Sequence, residues 1–295
     1  MPTMHILIGL PASGKSTKAD ELLEGRSDIV RLNKDSIREL LFCIPKNHTG
    51  GKAWNRSRES IVVEIEQELA RKFLGDGLDI IIDDTNLNDR YVETWKALAK
   101  EDHHKFVVHD FRDVPIEECV ERDACREKSV GRAVIYKLAA LNDIIKSQNR
   151  KVDFGDKRYI VTDIDGTLAN IDHRTHFLDE GSWDGFFAAM GEDIPNDYVV
   201  GMLNDVYPDH PVVIVTGRPE EYRVMTEEWL AEWEIRYDVL LMRHAHDRRP
   251  DPVVKQEIID QFLNREMIDM WIDDRPVVIM TVRANGIPVT DVGKA

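Results

Sequence analysis

His5-Ile6-Leu7-Ile8-Gly9-Leu10-Pro11-Ala12-Ser13-Gly14-Lys15-Ser16-Thr17 lies at the start of the chain. A short apolar run ends at a glycine, a second glycine follows five residues on, and Lys-Ser-Thr then begins a helical pattern. Gly9 and Gly14 allow the backbone to turn its N–H groups inward around an anion. Lys15 adds positive charge and the Ser16 hydroxyl is placed to ligate a metal ion. A second stretch of similar build is Tyr159-Ile160-Val161-Thr162-Asp163-Ile164-Asp165-Gly166-Thr167. The first suits placing a phosphoryl group, and the second suits removing one.

The rest of the chain fits around these two points. Apolar runs at 5–8, 29–32, 78–82 and 105–108 read as buried strands. Helical patterns at 15–23, 35–41, 56–73, 89–100 and 115–128 lie between them. Such alternation predicts a mostly parallel sheet covered on both faces. A polar helix is expected at 136–147 and a linker at 149–157. A second series of strands follows at 158–162, 211–215, 239–242, 270–272 and 287–290. The fold class is therefore α/β in two domains, 1–150 and 157–295. There are no fixed-period repeats and no low-complexity tracts.

Gly-x-x-x-x-Gly-Lys-Ser after a strand is the P-loop pattern, and Gly9, Ser13, Gly14, Lys15, Ser16 and Thr17 are its candidate nucleotide-binding residues. The next strand ends at Asn33-Lys34-Asp35, so Asp35 should face the same crevice. Its carboxylate can take the proton of an attacking hydroxyl, or it can cap the helix that follows. Arg38, one turn on, can hold an anionic acceptor. The third strand ends in Asp83-Asp84, where an acid commonly orients a metal or a cation. Arg122 and Arg126, four apart on the expected helix, can close over ATP phosphates. Alternatively they form a solvated face paired with Glu118 and Glu121.

In the second half, Asp163 and Asp165 lie two apart at a strand end. One can attack phosphorus while the other serves as acid and then base. Two carboxylates facing a phosphate require a divalent cation and a lysine. Thr216-Gly217-Arg218 ends one later strand, Lys255 begins a helix, and Asp273-Asp274 ends another strand. About forty-five residues separate Thr167 from the strand at Val212, too few for a large cap, so the site should be open to a polymer end or a bulky substrate.

This set of motifs, in this order, resembles the haloacid-dehalogenase phosphatases. The whole chain resembles the bifunctional polynucleotide kinase–phosphatases of T-even bacteriophage type. The resemblance implies an N-terminal P-loop kinase and a C-terminal Rossmann-like phosphatase with a small cap. It implies ATP and Mg²⁺ as cofactors and RNA or DNA ends as substrates, with 5′-hydroxyls phosphorylated and 3′-phosphates removed, often with opening of 2′,3′-cyclic phosphates. By the same resemblance Asp35 is the general base, Arg38 contacts the acceptor phosphate, Asp84 orients Arg38 and Arg126 sits on the ATP phosphates. Asp163 becomes the nucleophile, Asp165 the acid/base and Thr216 the phosphate holder, with Gly217 and Arg218 completing that motif. Lys255 offsets charge, and Asp273 and Asp274 complete the Mg²⁺ site. A further arginine before Val253-Val254-Lys255 is expected, with Arg249 the better match and Arg248 beside it. Pro250 and Pro252 interrupt a stretch that is more charged in the family. Homo-oligomers are frequent in the family, and a nucleic-acid ligase is the expected functional partner.

Composition adds limits. Of 39 basic and 55 acidic residues, 25 and 26 lie in 1–152, leaving 14 and 29 in the remainder, so nearly all of the −16 net charge sits in the second half. That balance argues against non-specific wrapping of nucleic acid. Three cysteines without a Cys-x-x-Cys pair suit a reducing compartment, and no secretory signal or apolar span is visible. A cytoplasmic location is expected, the host's if the gene is phage-borne. A fused small-molecule kinase and phosphatase, or a nucleotide-dependent switch, are the competing readings.

Overall fold

The computed structural model describes residues 1–43, 56–101, 103–145, 151–207 and 209–293. They fall into two compact units, Met1–Ile144 and Ile145–Ala295. The first contains β1 (Thr3–Ile8), α1 (Lys15–Leu23), β2 (Ile29–Leu32), α2 (Lys34–Phe42), α3 (Arg56–Gly75), β3 (Asp79–Ile82), α4 (Asp89–Glu101), β4 (Lys105–Asp110), α5 (Ile116–Ala124) and α6 (Arg132–Leu141). Its sheet is parallel in the order β2-β3-β1-β4. Leu7 and Ile81 from the two inner strands pack with Ile29 and Ala19 in a buried cluster. Continuous apolar runs are expected of strands covered on both faces.

The second unit has a five-stranded parallel sheet of β5 (Tyr159–Thr162), β8 (Val212–Pro219), β9 (Val239–Arg243), β10 (Ile268–Asp273) and β11 (Val289–Asp291), ordered β11-β10-β5-β8-β9. Its two faces bury separate cores, one around Trp271 and the other around Trp229. Between β5 and β8 a two-stranded antiparallel pair, β6 (Ala169–Asn170) and β7 (Ile194–Pro195), brackets short helices at His176–Asp179 and Trp183–Ala188. This is the small cap.

Several expected boundaries move. The helix expected at 115–128 ends at Ala124, because the buried Asp123 carboxylate accepts from Ser129 Oγ and from the N–H groups of Val130 and Gly131, turning the chain. The polar helix expected at 136–147 begins instead at Arg132 and buries Ile135, Tyr136, Ala139 and Ala140; residues 146 and 147 of that expectation, and 149 and 150 of the linker, lie outside the described residues. β8 runs on through Thr216-Gly217-Arg218 to Pro219, with a register shift against β9 after Thr216. Such a bulge re-aims side chains at a strand end. The two prolines open the helix Asp251–Phe262, Pro250 as its cap residue and Pro252 in its first turn, where a missing N–H costs nothing.

Because each unit has its own core, damage to one should stay local. Ile81→Ala is expected to lower the stability of the first unit by about 2–5 kcal/mol. In urea unfolding followed by limited proteolysis, the midpoint of Met1–Ile144 should fall while that of the second unit stays in place. A joint shift would mean that the two cores unfold as one.

Candidate active sites

The loop between β1 and α1 is shaped by close approach. A side chain at Gly9 would bring a Cβ to 2.6 Å from Ser13 Oγ and 2.9 Å from Phe111 Cβ, and Gly14 adopts φ 105°, a left-handed value that favours glycine. Lys15 is buried and donates to the carbonyls of Gly9 (2.9 Å) and Leu10 (2.6 Å). Burial lowers its pKa to about 8. An ammonium so enclosed can exchange carbonyl oxygens for phosphate oxygens. Ser16 Oγ donates to Asp83 Oδ2 at 3.4 Å, and Arg31 Nε holds the same oxygen at 2.9 Å. Thr17 follows in the first turn of α1.

Asn33, not Asp35, caps α2, accepting from Ser36 N at 3.2 Å. Asp35 is left to pair with Arg38, whose guanidinium also meets Glu59 at 2.6 and 3.1 Å. Asp84 does not orient Arg38 as expected. It accepts from the backbone N–H of Lys34 (3.0 Å) and lies 3.0 Å from the Lys34 ammonium, because that N–H at the start of α2 lacks a helical partner. Lys34 also reaches Glu66 at 3.7 Å and lies over the Tyr91 ring. Glu66 is fully buried with no hydrogen bond to either carboxylate oxygen. Burial and then the Asp84 charge push its pKa up to about 9. Two carboxylates share one ammonium, which favours the protonated form of Glu66.

The two arginines part company. Arg122 pairs with Glu118 along α5, half exposed. Arg126 lies beyond the end of α5, so the two do not share a helix face; it pairs with Asp123 at 3.5 Å, and its charge reaches Lys15.

In the second unit three adjacent strands end side by side. β5 delivers Asp163, β8 Thr216 and β10 Asp273. Lys255 Nζ, fully buried, lies 2.9 Å from Asp273, 3.1 Å from Asp163 and 3.4 Å from Asp251. Burial works against its charge, but Asp163, Asp251 and Asp273 outweigh it and its pKa rises. Asp163 Oδ1 is buried with no hydrogen bond, and burial raises the Asp163 pKa well above the usual carboxylate range. Asp163, Asp273 and Asp274 each offer an oxygen within 4.8 Å of the others. Three convergent carboxylates, one with an unsatisfied oxygen, fit a hard divalent cation. Thr167 Oγ1 fixes Asp274 at 2.9 Å. Gly166 adopts φ 86°, and a Cβ there would lie 2.2 Å from Asp274 Oδ2.

Asp165 Oδ1 accepts from Arg174 at 2.6 Å and from Arg218 at 2.7 and 2.9 Å. Both arginines also bond Asp193. Burial would raise the Asp165 pKa, but Arg218 and then Arg174 outweigh it and lower it. Arg218 Nη1 is buried without a partner, next to Thr216, whose hydroxyl accepts from Arg218 N. Gly217 passes so close to Asp251 that a Cβ would meet Oδ1 at 2.5 Å. Of the adjacent arginines, Arg249 is committed to Asp247 and Glu257. Arg248 is exposed and has no ion pair among the described residues. Both line a cleft of about 710 Å³ into which Asp163, Asp165 and Asp274 open.

Sequence reasoning missed Arg174, Asp193 and Asp251. Asp251 is readable from its spacing, four before Lys255 on one helix. Arg174 and Asp193 sit on short cap elements with no periodicity to reveal them.

By fold and strand-end sites, the first unit has the form of a P-loop nucleotide-binding domain and the second that of a haloacid-dehalogenase-like domain. Residues 157–295 match the family described as the polynucleotide kinase PNKP phosphatase domain, and residues 4–150 match an AAA domain. Domains of these kinds imply a nucleotide and a divalent metal. A protein of Autographa californica nuclear polyhedrosis virus, named as a proposed bifunctional polynucleotide kinase/RNA ligase, is 26% identical over 93% of this chain; the chain spans 40% of that relative's length. A chain in the structure of the Pnkp1/Rnl/Hen1 RNA repair complex is 24% identical, over 100% of this chain and 96% of that one, with a TM-score of 0.41. A haloacid dehalogenase-like hydrolase from Streptococcus pneumoniae is 12% identical, over 46% of this chain and 84% of that one, with a TM-score of 0.34. Among the described residues no helix is long and apolar enough to cross a membrane.

Two consequences can be measured. Gly166→Ala should displace Asp274 and weaken divalent-metal affinity about 10–100-fold, read by calorimetric titration with Mn²⁺. For Glu66 the folded pKa lies above the unfolded one, so the folded state binds the extra proton and stability falls as pH rises from about 4.5 to about 9. Glu66→Gln should flatten that slope in thermal melts of the first unit; an unchanged slope would place the proton elsewhere.

Proposed function

We propose that the chain heals nucleic-acid ends, transferring the ATP γ-phosphate to a 5′-hydroxyl and removing a 3′-phosphate. The observation that best supports this is the pairing of two separate strand-end sites, one with Asp35 beside a cationic acceptor site at Arg38, the other opening into an arginine-lined cleft. In the first, the P-loop amides, Lys15 and Arg126 bind the triphosphate and Ser16 with Asp83 holds the metal side. Asp35 accepts the proton of the 5′-hydroxyl as its oxygen attacks phosphorus, and Arg38 holds the adjoining phosphate.

In the second, Asp163 attacks the 3′-phosphate and the bond from phosphorus to the 3′ oxygen breaks. Asp165 gives that oxygen a proton through Oδ2, since its Oδ1 is taken by the two arginines; they favour its charged form, so it takes up that proton only as the negative phosphate enters beside it and opposes their pull. It then takes a proton from the water that releases inorganic phosphate from Asp163. Thr216, Arg218 and Lys255 hold the phosphate and its charge, and Arg248 rather than Arg249 is the arginine available at the mouth. Mg²⁺ at Asp163, Asp273 and Asp274 would offset the negative charge that gathers at phosphorus. The products, a 5′-phosphate and a 3′-hydroxyl, are what a nucleic-acid ligase consumes.

Labelled ATP with a 5′-hydroxyl oligonucleotide, and release of phosphate from a 3′-phosphorylated one, test both halves. Asp163→Asn should cut 3′ release at least about 1,000-fold and spare 5′ transfer, with Asp35→Asn doing the reverse. Label on free nucleosides but not on oligonucleotides would make it a small-molecule kinase.

A further inference from the structure

The cleft above Asp163 has one wall that the reaction does not use. Trp183, Phe186 and Phe187, from the helix Trp183–Ala188 of the cap, line it together with Leu178. Phe186 and Phe187 are buried and close a small core with Met190. Trp183 is 55% exposed. Its ring packs on Phe187 at 6.0 Å between centroids and 29°, and Phe187 packs in turn on Tyr222 at 5.3 Å and 32°. Two rings therefore brace the indole from behind while it faces the cleft. So exposed an indole adds little to the cap core, and its apolar area is left in contact with water.

The same cleft is lined by Arg248, which has no ion pair among the described residues and is close enough to influence Tyr222. A phosphoester whose phosphorus is at Asp163 must leave its organic group in this cleft. An exposed flat apolar face and a cation lining one cleft complement a nucleobase and the phosphodiester next to it. An apolar peptide would have no use for the cation.

We propose that Trp183 is the stacking platform for the nucleobase that carries the 3′-phosphate, with Arg248 on the next phosphodiester. This rests on the phosphatase reading and adds a base-binding subsite to it. Every base has a π face, so the platform accepts all four and fixes the strand end by shape.

The test compares 3′-phosphorylated oligonucleotides whose last nucleotide is intact or abasic. The intact end should have a KM about 10-fold lower. Trp183→Ala should raise the KM of the intact end to that of the abasic one, and Trp183→Phe should restore most of the difference. In the Asp163→Asn protein the intact oligonucleotide should quench tryptophan emission, and adding Trp183→Phe should remove that quenching. Equal KM values for the two substrates in the unaltered protein would overturn the subsite. So would quenching that survives Trp183→Phe. Release from neither substrate would fall on the phosphatase reading, and the quenching titration would still decide the subsite.

Discussion

One buried ammonium organises the second unit. Lys255 reaches Asp163, Asp251 and Asp273 at once, and those residues come from two strand ends and a helix start. Without it, three carboxylates would converge in a site that water scarcely enters, and an uncompensated buried charge of that kind typically costs about 3–5 kcal/mol. The same ammonium holds Asp163 by Oδ2 and leaves Oδ1 free. Asp251 carries the influence outward, bonding Arg243 and Arg275 at the rim.

The first unit solves a similar problem with different parts. Adjacent parallel strands β1, β3 and β2 end in the phosphate loop, Asp83 and Asp35, so the sheet order itself gathers them in one crevice. Its buried charges are offset by Arg31 on Asp83 and by Lys34 between Asp84 and Glu66, whose pKa is raised. The two units thus share a rule, in which chemistry is placed at strand C-termini and one cation is shared among several acids behind it.

How much of this was legible in the sequence follows from the kind of signal each residue left. Strands such as Ile29–Leu32 and the helix Lys15–Leu23 were readable because continuous apolar runs and glycine punctuation are local. Asp273 could be picked out because strand ends confine where a charged residue can go, whereas Lys255, expected to begin a helix, lies one turn into the helix that starts at Asp251. The expectation that Asp84 orients Arg38 misses its contacts with Lys34, because a free helix N–H competes for the nearest carboxylate and residue order does not show which partner wins. The end of α5 was misplaced because the Asp123 carboxylate draws in amides up to eight residues ahead. Arg174 and Asp193 depend wholly on how the cap folds back over Asp165.

The inward fold of Lys15 onto the carbonyls of Gly9 and Leu10 has a further effect. A loop whose own carbonyls bond its ammonium sets a threshold for any anion that would draw it away. An ion that merely replaces those two bonds gains little, while a run of phosphates that also engages the loop amides gains far more.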